Sequence, residues 1–323
     1  MNKEICNAVI GFAVGDIVGV PYEFKKRGKF ECTDMRASVP PDFHFLLPLG
    51  TWSDDTSLLL CVLDALSIKY KYDKQELPPM TKEQIDSWKD NIDEKIYKQF
   101  KSDAIKWMNA GKFTNHGFKI PFDIGNSCRK GILAMMTGVR NKTADDEYSN
   151  GNGGLMRIPP LAFFDFEDDE ELLKYVKLFN ECSHNHKVSH IGCLIYIKLA
   201  KNLIKENISI KEALIKTINS IDDEYKVEEY KRIWDLSILD VGVDEIRSSG
   251  YVVDTLEAVI WSCANNSTYK DTILTAVNLG DDTDTVAALS GFISAIHHND
   301  IPCEWVKKIR KKEIITKICK KFS

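Results

Sequence analysis

No Cys-x-x-Cys pair occurs among the nine cysteines, which are scattered singly at Cys6, Cys32, Cys61, Cys128, Cys182, Cys193, Cys263, Cys303 and Cys319. That odd, dispersed set indicates neither a disulfide framework nor a cysteine zinc site, and it suits a reducing cytoplasm, the compartment expected here. No apolar run continues uninterrupted for the length of a membrane span. The most apolar stretch, Ile5 to Tyr22, is broken by Asp16 and carries no signal-peptide cleavage pattern. Positive charge is not in excess either: the net charge of −5 gives no general attraction to nucleic acid or an anionic membrane, and neither is expected as a partner. Strict polar–apolar alternation is almost absent, which argues against β-structure. A Walker or dinucleotide fingerprint is missing, since the one glycine-rich loop has no Gly-Lys-Ser/Thr and no strand before it. The zincin pattern is missing too. His186 and His190 are four apart, but Lys187 stands where that pattern needs glutamate.

What is there is a chain of 323 residues, 44% hydrophobic and 28% charged, long enough to bury a substantial core. Helical periodicity with proline and glycine punctuation dominates, so the expected class is all-α, and the length allows one large domain or two ordinary ones. Helices are expected over 4–19, Ser57–Ile68, Ala104–Ala110, Ser127–Met136, about Val188–Lys205, Leu256–Cys263 and Val286–Ile296. An amphipathic, lysine-rich helix is expected over Ile301–Phe322. Residues 25–50, with Pro40, Pro41 and Pro48, read as irregular, and the charged segment 69–103, with Pro78-Pro79, as a surface insertion with helical pieces. Gly11, Gly15 and Gly19 recur every four residues, a spacing that lets two buried helices approach closely.

Two clusters break the ordinary pattern. Gly280-Asp-Asp-Thr-Asp-Thr285 precedes the apolar run Val286–Ile296, and Gly50-Thr-Trp-Ser-Asp-Asp-Thr56 precedes Ser57–Ile68. One polar residue suffices to cap a helix, whereas these clusters carry several carboxylates each. Two carboxylates about 4 Å apart repel by roughly 4 kcal/mol at an effective dielectric near 20, a cost that a hard, oxygen-liganded divalent cation removes. More than 200 residues separate the clusters, so a shared site requires two helix N-termini to meet in space. Such ends also welcome phosphate. Glu23 falls in a loop at the end of the first helix, and Asp123 at the entrance of Ser127–Met136, where its simplest role is a cap. Gly151-Asn-Gly-Gly154 can turn backbone N–H groups inward around an anion. His184, in the loop before a helix, is a candidate ligand contact, and His190 a packed or surface histidine.

Taken together, Gly15-Asp-Ile-Val-Gly-Val-Pro-Tyr-Glu-Phe24, Gly50-Thr-Trp-Ser-Asp-Asp-Thr56, Phe122-Asp-Ile-Gly125, Gly151-Asn-Gly-Gly-Leu-Met-Arg157, Ser183-His184 and Gly280-Asp-Asp-Thr-Asp-Thr285 resemble the motifs of the ADP-ribosylglycohydrolases, the group that includes dinitrogenase-reductase-activating glycohydrolase. They stand in the family's order and span nearly the whole chain. The resemblance implies a single domain over residues 1–323, a compact orthogonal helical bundle whose central cleft holds two magnesium ions (Mg2+), or manganese (Mn2+) in some members. It assigns metal binding to Ser53, Asp54 and Asp55 on one side and to Asp282, Asp284 and Thr285 on the other, with Glu23 beside the metals. It assigns the ADP-ribose pocket to Asn152, Gly153, Gly154, Leu155, Met156 and His184. Two departures are visible: Ser53 stands where many members have threonine, and Asp281 where many have glycine.

The implied reaction is hydrolysis of the bond between C1 of the distal ribose and a side chain, through an oxocarbenium-like transition state. The substrate would be an ADP-ribosylated protein or a small ADP-ribose conjugate, with arginine linkage favoured and a monomer expected. Glu23, Asp123 and Asp55 are the candidate catalytic carboxylates, which the sequence does not rank, with Asp284 also open to a dual role. Two alternatives stand beside this reading: a hydrolase of free ADP-ribose derivatives, and an inactive ADP-ribose-binding member.

Overall fold

The computed structural model describes residues 2–35, 47–75 and 81–323, so Pro40, Pro41, Pro78 and Pro79 lie outside the described residues. The chain is all-α: among the described residues the only β-type pairing is an isolated bridge between Gly151 and Tyr251. Thirteen α-helices occur among the described residues, α1 (Asn2–Gly19), α2 (Asp54–Asp73), α3 (Lys82–Ala110), α4 (Asn126–Thr137), α5 (Asp169–Asn180), α6 (Lys187–Lys205), α7 (Ile210–Asn219), α8 (Lys231–Trp234), α9 (Val252–Ala264), α10 (Tyr269–Asn278), α11 (Thr283–His297), α12 (Cys303–Lys308) and α13 (Glu313–Cys319). Side chains from α1 through α13 enter one contiguous hydrophobic core.

The centre is the pair α1 and α11, and glycine makes it. A Cβ built on Gly15 would lie 2.1 Å from the Ala287 carbonyl oxygen, and one on Gly11 2.4 Å from Ala295 Cβ. A Cβ on Gly19 would lie 2.3 Å from Asp284 Cα. The four-residue glycine spacing thus aligns one face of α1 against the backbone of α11 from end to end. Tyr269 Oη adds a hydrogen bond to the Gly11 carbonyl at 2.6 Å. By length and composition the stretch Asn2–Tyr22 is apolar enough to cross a membrane even with Asp16 inside it, but 83% of its apolar window is buried inside the protein. The consequence at the C-terminal end of α1 is functional, because Gly19 fixes where the first turn of α11 sits. Gly15→Val is expected to destabilise the protein by about 3 kcal/mol or more, since the clash is with backbone that cannot step aside. A melting temperature equal to wild type would show that the two helices can separate freely.

Two expectations are corrected. Segment 69–103 is not only surface: α2 runs on to Asp73, and α3 buries Ile92, Ile96, Phe100, Ala104 and Trp107 against the core. Those five recur at steps of four, four, four and three, an apolar stripe masked by the charges on the other faces. The helix starts with a capping box between Thr81 and Gln84 and ends at Gly111 in the left-handed conformation.

The tail is likewise not one helix. Between α12 and α13, Ile309 is extended and Lys311 has φ 51°. The break is used elsewhere: Arg310 N–H donates to the Gly50 carbonyl at 3.2 Å, and Asn115 Nδ2 donates to Gly50 O at 2.8 Å. Asn115 Oδ1 accepts from Trp52 N–H at 3.1 Å. This brace holds the strand-like approach to α2, and so the first acidic cluster.

Candidate active site

Asp16, the charge that interrupts the first apolar helix, sits beneath the start of α2. Its carboxylate accepts from Ser53 N–H (2.9 Å), Thr56 N–H (3.1 Å) and Thr56 Oγ1 (2.6 Å). A buried anion against free N–H groups at a helix start is favourable. Ser53 is the N-cap of α2; its Oγ accepts from Asp55 N–H at 3.2 Å and donates to Asp55 Oδ2 at 3.0 Å. Asp54 Oδ2 accepts from Gly125 N–H at 3.3 Å, which ties the start of α2 to the start of α4.

The second cluster is placed by a turn. Gly280 (φ 83°) and Asp281 (φ 55°) are both left-handed, and Asp281 exchanges main-chain hydrogen bonds with Phe24 (2.7 Å) and Lys25 (2.8 Å). The Asp281 side chain is exposed, and the residue is not part of the pocket wall. Asp282 is gripped twice, its N–H by Ser248 O (3.0 Å) and its Oδ2 by Asn152 Nδ2 (2.7 Å). Thr283 Oγ1 donates to Gly19 O at 2.8 Å, and Thr285 Oγ1 reaches Asp55 Oδ2 at 3.2 Å. The two clusters, 230 residues apart at that contact, form one site.

Three helix starts, of α2, α4 and α11, face a cavity of about 250 Å3. Its wall holds Glu23, Asp54, Asp55, Asp123, Asp282, Asp284 and Thr285, together with Asn126, Ser127, Asn152, Gly153, Met156 and His184. A larger groove of about 750 Å3 runs along the outer side of α1, but Glu4 is its only acid.

Carboxylate oxygens of Glu23, Asp123 and Asp284 all lie within 4.8 Å of one another. Burial, reinforced by the neighbouring carboxylates, pushes Glu23 up to about 10 and Asp123 up to about 8. Burial likewise raises Asp54 to about 6, Asp16 to about 7, and Asp55 and Asp284 well above the usual carboxylate range. So many buried acids cannot all be ionised without positive charge among them. Asp55 Oδ1 is buried and has no hydrogen-bond partner among the described residues. Oxygen donors and an orphaned carboxylate oxygen fit a hard divalent cation. Cys128, also in the wall, is pushed by burial up to about 12 and stays a thiol, so it offers no thiolate ligand.

The far wall is organised by Arg157, only 1% exposed. Its Nη2 donates to Ser183 Oγ (2.6 Å) and to His184 Nδ1 (3.0 Å). Arginine can only donate, so His184 Nδ1 is an acceptor. Burial and Arg157 hold this imidazole neutral, well below the usual histidine range. The remaining hydrogen is therefore on Nε2, facing Gly151 and Gly153. A Cβ on Gly153 would meet His184 Cε1 at 2.9 Å, so glycine is what lets the loop lie on the ring.

Not every expected residue reaches the cavity. Ser53 caps α2 and supports Asp55 from behind. Gly154 packs on Asn180, His184 and Ser189, and Leu155 is fully buried in the core; none of the three is in the wall. Asp123 is not a cap, because Gly125 takes that position in α4, and this frees its carboxyl for the cavity. His190 is buried and packed, as expected. The supporting roles of Asp16, Arg157 and Ser248 were not read from the sequence. Asp16 gave a signal as a lone charge in an apolar helix, and Arg157 as the last residue of the Gly151–Arg157 motif.

The model of the family described as ADP-ribosylglycohydrolase matches residues 2–323. The chain belongs to the ADP-ribosylglycohydrolase family. It is 28% identical over 322 residues to ADP-ribosylarginine hydrolase Tri1 of Pseudomonas putida (strain GB-1), covering 98% of this chain and 76% of that one. It is 25% identical over 317 residues to ADP-ribosyl-[dinitrogen reductase] glycohydrolase of Rhodospirillum rubrum, covering 97% and 92%. A solved ADP-ribosylglycohydrolase-related protein complex shares the fold, with a TM-score of 0.71 at 23% identity over 99% of this chain and 97% of that one.

Proposed function

We propose that this member of the family removes ADP-ribose from modified arginine side chains of proteins, by magnesium-dependent hydrolysis of the bond at C1 of the distal ribose. The observation that carries the reading is the convergence of Asp54 and Asp55 with Asp282, Asp284 and Thr285 on one cavity, joined by the Thr285–Asp55 contact at 3.2 Å. The arginine linkage rests on the relatives named for it.

Asp54, Asp55, Asp282, Asp284 and Thr285 would hold two magnesium ions, with Ser53 fixing the Asp55 carboxylate. When bound, such ions orient ribose hydroxyls and make a nearby water a better nucleophile. The protein's own groups do the rest. Glu23 and Asp123 are the carboxyls that take the water proton or hand one to the leaving group. Their mutual proximity lets one be protonated while the other is ionised. His184 offers Nε2–H as a fixed donor, its tautomer set by Arg157. The N–H groups at the start of α4, with that of Gly153, suit the pyrophosphate. The cavity is smaller than a pocket for a whole drug-sized ligand, so the distal ribose enters it and the adenosine lies along the surface.

The test is ADP-ribose release from an arginine-ADP-ribosylated protein with magnesium, with EDTA, and with the Asp282→Ala variant. Release is expected only from the wild type with metal. Release that persists in EDTA or in Asp282→Ala would overturn the metal assignment. Release from small conjugates but not from protein would overturn the protein-substrate reading.

A further inference from the structure

Phe24 follows Glu23 directly, lines the same cavity, and is 74% exposed. Its φ is 64°, a left-handed conformation that a bulky residue adopts only when its surroundings impose it. The surroundings do impose it. Phe24 N–H donates to Asp281 O at 2.7 Å and Asp281 N–H donates to Lys25 O at 2.8 Å. Lys25 Nζ donates to Pro21 O at 2.9 Å, and Arg27 pins the segment through the carbonyls of Leu279, Val243 and Ile246. An exposed phenyl ring at a left-handed position adds little to packing, and glycine would hold that backbone with less strain. The ring is displayed at the cavity mouth rather than buried.

We infer that Phe24 is a specificity-determining residue that stacks on the planar guanidinium of the modified arginine. This rests on the arginine reading above. Glu23 belongs to the carboxylate trio that the proposed function sets at the reacting end, and Phe24, its chain neighbour, lines the same cavity. The ring therefore lies beside the reacting end, whereas adenine is a pyrophosphate and a ribose away. The group leaving from that end carries a flat, delocalised cation, the partner an aromatic face attracts most readily among side chains.

Phe24→Gly tests this without disturbing the turn, because glycine accepts the φ. In the magnesium-loaded protein, kcat/KM on an arginine-ADP-ribosylated protein is expected to fall about 3- to 30-fold, chiefly through KM, as loss of a cation–π contact predicts. Inhibition by free ADP-ribose, which lacks the guanidinium, is expected to stay within about twofold, and Phe24→Tyr is expected to restore most of the loss. Equal weakening of ADP-ribose itself would place the ring against the nucleotide and overturn the assignment. Unchanged turnover in Phe24→Gly would overturn it while leaving the arginine reading intact. A wild type that acts on serine-linked but not arginine-linked protein would overturn both.

Discussion

Asp55→Asn is expected to lower kcat/KM by about 10³-fold or more while the protein still folds. Asp55 is the one carboxylate touched from both clusters: Ser53 Oγ and Thr285 Oγ1 both reach Oδ2, at 3.0 and 3.2 Å. That leaves Oδ1 as the buried oxygen without a partner among the described residues. Asparagine keeps the shape and one acceptor oxygen but removes the charge, so the hydroxyl contacts can survive while cation binding cannot. In the metal-free state burial, with Asp16, Asp54 and Asp282 nearby, holds the Asp55 carboxyl well above the usual range, and asparagine removes the cost of keeping it protonated. The melting temperature without metal is therefore expected to equal or exceed wild type, and the increment on adding magnesium to shrink. Stability and activity move in opposite directions, the pattern of a residue kept for function. Turnover near wild type in Asp55→Asn, with magnesium stabilisation intact, would remove Asp55 from the metal site.

The two acidic clusters were legible because their local chemistry exceeds what a helix start needs, and the glycine spacing of α1 because it has a single geometric use. The way these meet was not legible. Gly19 puts the end of α1 on the first turn of α11, and Thr283 Oγ1 locks it there through the Gly19 carbonyl at 2.8 Å. Nothing local announces that contact across 264 residues. Asp123 illustrates the same limit. Before a helix, a cap and a cavity-facing acid have the same local sequence, and only the fold shows that Gly125 is the N-cap and Asp123 joins Glu23 and Asp284. Leu155 went the other way: a motif residue next to cavity residues, it points into the core. In α3 the apolar stripe was present at helical spacing, but dense charge on the other faces hid it. In the tail, the amphipathic pattern runs straight through Arg310, whose backbone is taken by Gly50.

Stability of the metal-free protein is expected to fall as pH rises from 6 to 8, and magnesium to restore it more strongly at pH 8 than at pH 6. The groups facing one another are Asp16, Glu23, Asp54, Asp55, Asp123, Asp282 and Asp284, with Arg157 the buried cation behind them. Glu23 and Asp123 are raised to about 10 and about 8, against ordinary values near 4.5 and 3.8. An acid whose folded value is raised keeps a proton that the unfolded chain has released. Its contribution to stability is complete below the unfolded value and is lost as pH rises toward the folded one. Between pH 6 and 8 each retained proton corresponds to about 3 kcal/mol of lost stability, on the order of 5 °C in melting temperature for a chain of this size. Cations reverse the sign of the local field and let the carboxylates ionise in place, so their binding releases protons and strengthens with pH. Thermal melts in EDTA and in magnesium at both pH values measure the effect directly. A metal-free melting temperature that does not change between pH 6 and 8 would mean that the cluster is already compensated by charge from the protein itself. A magnesium increment equal at both pH values would separate metal binding from these acids.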